Sequence, residues 1–193
     1  MAKKKLKTFD ATLGEPASNA TPNRPACQAC GLFRTSPAPF ALARVPKDWN
    51  SQLLLVSEAP TRDEDRQPGY TFSGKEGKWL EALLARKGFK REDCALTYTV
   101  RCTPPKDAQG KPLPPTMGQI RYCRPFLLAD IATLKPRNIM GLGNAAARGL
   151  LNDGQATVVR HRGRLLLLTP KEESRESNQA ESQTEGSRDS LSA

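Results

Sequence analysis

At 193 residues and a formal net charge of +10, the chain has room for one α/β domain and little else. Its apolar stretches, Leu165 to Leu168 among the longest, are far too short to cross a bilayer, which argues against a membrane role. The excess of cations lies before residue 169, where 27 Lys and Arg face 14 Asp and Glu; a polyanion, most simply nucleic acid, is the natural partner, and a solvated basic surface is the alternative.

Residues 1–22 hold a Lys cluster followed by Gly, Pro, Ser and Asn without periodicity, and are expected to be a disordered basic N-terminus. The basic start runs into Thr8-Phe9-Asp10-Ala11 rather than an apolar segment, so no secretion signal is expected. Five cysteines without such a signal fit a reducing, cytoplasmic compartment and favour metal ligation over disulfides. Residues 23–47 carry Cys27 and Cys30 among prolines and read as a loop with a short helix. Gln52 to Val56 is a compact apolar strand that stops at Ser57-Glu58-Ala59-Pro60, and ligands of open α/β sheets bind outside such carboxyl ends. Lys75 to Arg86 is amphipathic, with Trp79, Leu80, Leu83 and Leu84 on one face, and Gly88 stops it.

Ala95 to Val100 is a second strand, with Cys94 buried at its start, and it runs into Arg101-Cys102. A Pro-rich loop covers Thr103 to Pro115. Met117 to Leu134 is a helix that carries Cys123 and turns Ile120, Phe126, Leu127 and Ile131 to the core. Asn138 to Leu142 is a third strand, and Gly143 turns it into a third helix that frays by Gly154. Thr157 to Thr169 alternates weakly, as a hairpin or edge strand would. Residues 170–193 are a polar tail of low complexity that is expected not to fold, which leaves a domain over 23–169. Alternating strands and helices make the class α/β with a mostly parallel sheet.

The cysteine spacing carries chemistry. Cys27 and Cys30 can grip one centre from a single turn. Cys102, on a loop, and Cys123, on a helix, can complete a four-thiolate site only if the fold gathers distant segments. Thiolates select zinc or iron–sulfur clusters, and unligated buried thiols are the bland alternative. A second motif runs from Ser57 to Asp65 and on through Tyr70-Thr71-Phe72-Ser73-Gly74-Lys75-Glu76-Gly77. A carboxylate and backbone N–H groups at a sheet edge, followed by an aromatic in a Gly-rich turn, suit a pocket for a flat heteroaromatic with Phe72 as its stacking face. The same residues also read as a solvated turn at Asp63, Glu64 and Asp65 with Phe72 in the core.

Taken in order, these blocks resemble the iron–sulfur, family 4 type uracil-DNA glycosylases of the wider uracil-DNA glycosylase superfamily. That family runs CxxC, GEAPGxxED, PFxGxxG, a strand ending TNxxKCxPP, a helix beginning ExxxC, and a strand ending LG before an Ala-rich helix. This chain has Cys27 and Cys30, SEAPTRDED, TFSGKEG, TYTVRCTPP, QIRYC and GLGNAAARGLL in the same order, over residues 24–168. The resemblance implies a three-layer α/β/α sandwich around a central, mostly parallel sheet. It implies a 4Fe–4S cluster on Cys27, Cys30, Cys102 and Cys123, with zinc as the alternative, and hydrolysis of the N-glycosidic bond of uracil in DNA. It further implies that Phe72 stacks on a flipped uracil, that Ala59 and Tyr98 bind substrate, and that Glu58 positions water. By charge, Arg62, Lys75 and Arg101 are candidates for DNA phosphates. A monomer is the default expectation.

The chain also departs from the pattern. Ser57 and Thr61 stand where the family has glycine, and Tyr98 stands where an asparagine reads the uracil edge; a phenol cannot offer the paired donor and acceptor of an amide. The loop between Cys102 and Cys123 is longer than usual. The family's His-Pro motif, whose histidine stabilises the departing uracil anion, has no counterpart before the polar tail. His161 reads as a surface residue on the edge strand. The chain is therefore expected to lack the final strand and helix, and losing that donor would slow turnover by about 10²–10³. The second functional reading is a non-catalytic iron–sulfur protein that binds DNA and releases no base.

Overall fold

The run Leu53-Leu54-Leu55-Val56 has no polar face, so a strand built from it needs cover on both sides. In the computed structural model, which describes residues 27–36, 40–50, 52–60, 72, 75–164 and 166, this run forms β1 (Leu53–Ser57), the middle strand of the sheet. β2 (Cys94–Tyr98) and β3 (Asn138–Gly141) flank it, both parallel to it, in the order β2-β1-β3. Leu55 lies opposite Leu96 on one side and Met140 on the other. Parallel neighbours need long crossovers, and helices supply them here. α1 (Lys75–Ala85) lies between β1 and β2, and α2 (Met117–Leu134) between β2 and β3. α3 (Asn144–Leu151) and the short α4 (Val158–His161) follow.

Successive side chains of a strand point to opposite faces, and the core divides accordingly. Leu53, Leu55 and Leu96 pack with Leu80 and Leu84 of α1. Leu54, Val56 and Ala95 pack with Leu127, Leu128 and Ile131 of α2 and with Ala146 and Leu150 of α3. Helices thus cover both faces of a parallel sheet, the three-layer α/β order expected from the sequence. The outer edge of β2 meets the chain before β1: Arg44 and Leu96 exchange backbone bonds of 2.8 and 2.9 Å. Trp49 Nε1 donates to Leu134 O at 3.1 Å, which ties the same stretch to the end of α2. α2 starts at a capping box, with Thr116 Oγ1 accepting from Gln119 N and the Gln119 side chain accepting from Thr116 N.

Three expectations change. On α1, Leu80 and Leu84 face the sheet, whereas Trp79 is 69% exposed and Leu83 37%. Positions 79 and 83 sit about 100° round the helix from 80 and 84, outside the buried stripe. Residues 158–161 are helical rather than part of a hairpin or edge strand, because Thr157 Oγ1 accepts from Arg160 N and caps that turn. His161 is half-buried there, with Nδ1 3.0 Å from Thr157 O. The long loop after Cys102 closes on itself: Lys106 bridges Pro112, and Asp107 Oδ1 accepts from Gln109 N at 3.0 Å and Lys111 N at 2.8 Å. Both polar termini and the expected loss of a final strand and helix fall outside the described residues. Among the described residues no helix is long and apolar enough to cross a membrane.

Candidate functional site

Because β2 and β3 lie on opposite sides of β1, the connection leaving β1 turns one way and the connection leaving β2 returns past it. The carboxyl end of β1 is therefore the topological switch point, where open α/β sheets form their crevice. Glu58 follows it directly. Ser57 O accepts from Thr99 N at 2.7 Å and from Thr99 Oγ1 at 2.8 Å, and Glu58 O accepts from Val100 N at 3.0 Å, so the two strand ends leave the sheet together. Glu58 is half-buried; burial pushes its carboxyl up from the ordinary range, and the positive charge of Arg148 on α3 pulls it partly back. A carboxylate in that condition suits the positioning of a water molecule. Arg148 escaped the sequence reading. Its signal is its place on the helix that follows β3, at the switch point. Gly149 lets α3 come close there: a Cβ on it would lie 2.6 Å from Thr99 Cγ2.

On the other face, Tyr98 continues the series Cys94, Leu96 toward α1 and is 2% exposed. The Phe72 ring stacks on it, with centroids 6.3 Å apart and planes 16° from parallel. Phe72 is half-buried against the Leu53 and Leu55 core and has a left-handed backbone, with φ +59°. Its carbonyl accepts from Arg91 Nη1 at 2.9 Å, and Arg91 pairs in turn with Glu81 at 2.7 Å. α1 starts against that carbonyl: a Cβ at Gly77 would lie 1.5 Å from Phe72 O, so only glycine fits. The core reading of Phe72 thus accounts for its packing. Arg62, Asp63, Glu64 and Asp65 lie outside the described residues, as does the side chain of Lys75, whose backbone opens α1.

Ala59 joins this edge to the cysteines. It is buried with Leu32, Val100, Cys102, Ile120, Cys123 and Ala145, and Cys30 packs against the same cluster. All five cysteines are free thiols. Arg101 N donates to Cys123 Sγ at 3.3 Å. Burial pushes the Cys102 thiol up, the Phe40 N–H opposes it, and the charges of Cys30 and Cys27 add to the rise. Burial likewise drives Cys123 up to about 12, against the Arg101 N–H and charge and with Cys30 and Cys102 adding to it. The cysteines of three remote stretches therefore feel one another. Among the described residues, no three Cys, His, Asp or Glu side chains are close enough to hold one metal ion. The cysteine sulfurs, Cys123 Sγ already accepting a backbone N–H, fit the donor set of a thiolate-held cluster once deprotonated. Cys94 stands apart, buried at the start of β2 with Sγ 3.5 Å from Lys90 O.

Arg101 does not sit where a phosphate contact requires. It is 2% exposed and ion-paired with Asp130, also buried. A guanidinium engaged inside the core has no reach to a nucleic-acid backbone on the surface.

A family model described as the uracil DNA glycosylase superfamily matches residues 44–185. The chain is 33% identical over 128 residues to the type-4 uracil-DNA glycosylase of Archaeoglobus fulgidus, covering 65% of this chain and 59% of that protein. It is 32% identical over 127 residues to that of Pyrobaculum aerophilum, with 65% and 59% covered. For the Thermotoga maritima protein of the same name the identity is 31% over 114 residues, with 59% and 56% covered. The chain thus spans less than two thirds of the length of these relatives.

Proposed function

The chain belongs to the uracil-DNA glycosylase superfamily, and from that premise we propose that it excises uracil from DNA, as the first step of base excision repair. The observation that carries this reading is the half-buried Glu58 at the switch point of the sheet, faced by Arg148. The target nucleotide leaves the stack, at a cost of a few kcal/mol, and its base stacks on Phe72 beside Tyr98. Ala59 supports the sugar through its backbone. Glu58, ionised, orients a water molecule. The water oxygen bonds to C1′ as the N-glycosidic bond breaks, its proton passes to Glu58, and uracil leaves with the bonding pair. The leaving anion calls for a nearby cation or donor, and Arg148 is the basic group that faces this edge.

Cys27, Cys30, Cys102 and Cys123 would hold the 4Fe–4S cluster, which when bound supplies a structural staple between the N-terminal loop, the end of β2 and α2. Deprotonation of raised thiols must accompany loading. Arg62 and Lys75 remain candidates for phosphates, and the overall charge of +10 suits a polyanion. We read the protein as a cytoplasmic monomer.

The decisive experiment incubates the protein with single- and double-stranded oligonucleotides bearing one uracil and counts abasic sites. Release above that of Glu58→Ala supports the reading. Equal release from both, with salt-sensitive binding retained, replaces it with the non-catalytic DNA-binding reading.

A further inference from the structure

The cation expected on the surface is instead buried among bonds that all lead to cysteine-bearing stretches. Arg101 Nη1 donates to Ala41 O at 3.0 Å, Nη2 donates to Phe126 O at 3.4 Å, and Nη2 also pairs with Asp130 on α2. Thr97 Oγ1 donates to the same Asp130 oxygen. The Phe40 ring lies beside the guanidinium, with Cζ 5.8 Å from its centroid, and meets Phe126 edge-on at 4.8 Å. The main chain of Arg101 works in parallel: its carbonyl accepts from Ala41 N at 2.7 Å and its N–H donates to Cys123 Sγ. Cys102 is the next residue in the chain, so the same contacts hold its backbone.

We infer that the Arg101–Asp130 ion pair is a positioning clamp, holding the 40–41 segment, the end of β2 and α2 in one register so that Cys102 and Cys123 stand ready for a shared cluster before metal arrives. This rests on the cluster reading given above. Stability alone does not call for such a pair, since apolar side chains of similar volume serve a core as well or better. What they lack is a planar fork with donors for a carbonyl on the 40–41 segment and for a carbonyl and a carboxylate on α2. The arrangement even leaves Arg101 Nε buried without a partner, a cost that geometric precision offsets. Arg101 touches neither base nor sugar in this scheme; it acts through the cysteines.

Two measurements on the full chain test it. In metal-free protein, the alkylation rate of each cysteine by iodoacetamide is read by mass spectrometry. After anaerobic reconstitution with ferrous iron and sulfide, iron per chain and bleaching of the visible bands in air are followed. Asp130→Asn should raise the Cys102 and Cys123 rates about tenfold while Cys94 keeps its wild-type rate, since only the local opening becomes easier. Arg101→Met combined with Asp130→Leu removes the pair without stranding a charge; it should fold, show the same selective rise, and bleach faster than wild type. Arg101→Lys should recover only part of the protection. Wild-type rates at Cys102 and Cys123 in the double variant, or a rise at Cys94 in step with them, overturn the clamp. A wild-type chain that takes up no iron sinks the cofactor reading instead, and the alkylation arm still decides the clamp.

Discussion

The surroundings of Cys102 and of Phe72 lie at the same end of the sheet, one just past β2 and the other stacked on its last residue. They are built by different means. Around Cys102, directional bonds from one arginine join its own stretch to two segments far apart in sequence, and its backbone N–H points at the Cys123 sulfur. Around Phe72, position comes from a left-handed backbone, from clearance that only Gly77 provides, and from a bond to Arg91, itself paired with the exposed Glu81. The first region is a scaffold that fixes distances. The second is the side where the proposed function seats the base, and aromatic packing there tolerates adjustment that a charge network would not. Glu58 stands between them, in sequence next to Ala59, which packs on the cysteine cluster.

Substitutions can separate the two. Cys102→Ser should lower bound iron by more than about 100-fold, beyond the loss that changes around a metal ligand produce, as colorimetric iron analysis would read. Full iron content in that variant would break the comparison. Glu58→Gln should keep its iron and lose about 10²–10⁴ in single-turnover excision, the usual worth of a positioned base. The raised Glu58 pKa also sets a pH dependence. Excision needs the ionised form, so the rate should climb with pH through a value above the ordinary carboxylate range, and Arg148→Met should move that limb higher still. For stability the sign is opposite. A folded pKa above the unfolded one gives a margin that is complete below the unfolded pKa and vanishes as pH rises through the folded one. Glu58→Gln should therefore melt slightly higher than wild type at neutral pH, by calorimetry.

Gly77→Ala probes the Phe72 side alone. The new methyl collides with Phe72 O, so stability should fall by about 1–3 kcal/mol in urea unfolding, and KM for uracil-containing DNA should rise while iron stays. If the variant loses iron as well, the two regions are less independent than drawn. Smallest of all, Trp79→Ala should change stability by within about 0.5 kcal/mol, because the indole is mostly in water.

Much of this was legible beforehand, for physical reasons. The four-residue apolar run Leu53 to Val56, ended by Ser57 and Pro60, reads as a strand buried on both faces, and β1 is one. The Met117–Leu134 helix announced itself by its Thr116 and Gln119 cap and its length. Other features depend on the third dimension. Arg101 looked like a surface cation because a buried ion pair is declared only by its partner, and Asp130 lies 29 residues further along. Trp79 looked like core because a one-dimensional apolar cluster does not say which 100° step faces the sheet. Thr157 to His161 looked extended because a single capping hydroxyl outweighs a weak alternation over so few residues. Arg148 lies inside the GLGNAAARGLL block, but the block itself gives the arginine no role; its meaning comes from strand order.

The all-parallel order β2-β1-β3 has a kinetic corollary. Neighbouring strands are separated by complete crossovers, so the sheet is assembled from contacts remote in sequence, and such contacts form slowly. On the cluster reading proposed above, Cys123 reaches Cys30 once α2 has docked on the sheet, so docking would gate metal loading. Refolding followed by tryptophan fluorescence should run at one rate with or without ferrous iron and sulfide, while the visible colour lags behind it; colour that leads fluorescence would reverse the sequence of events.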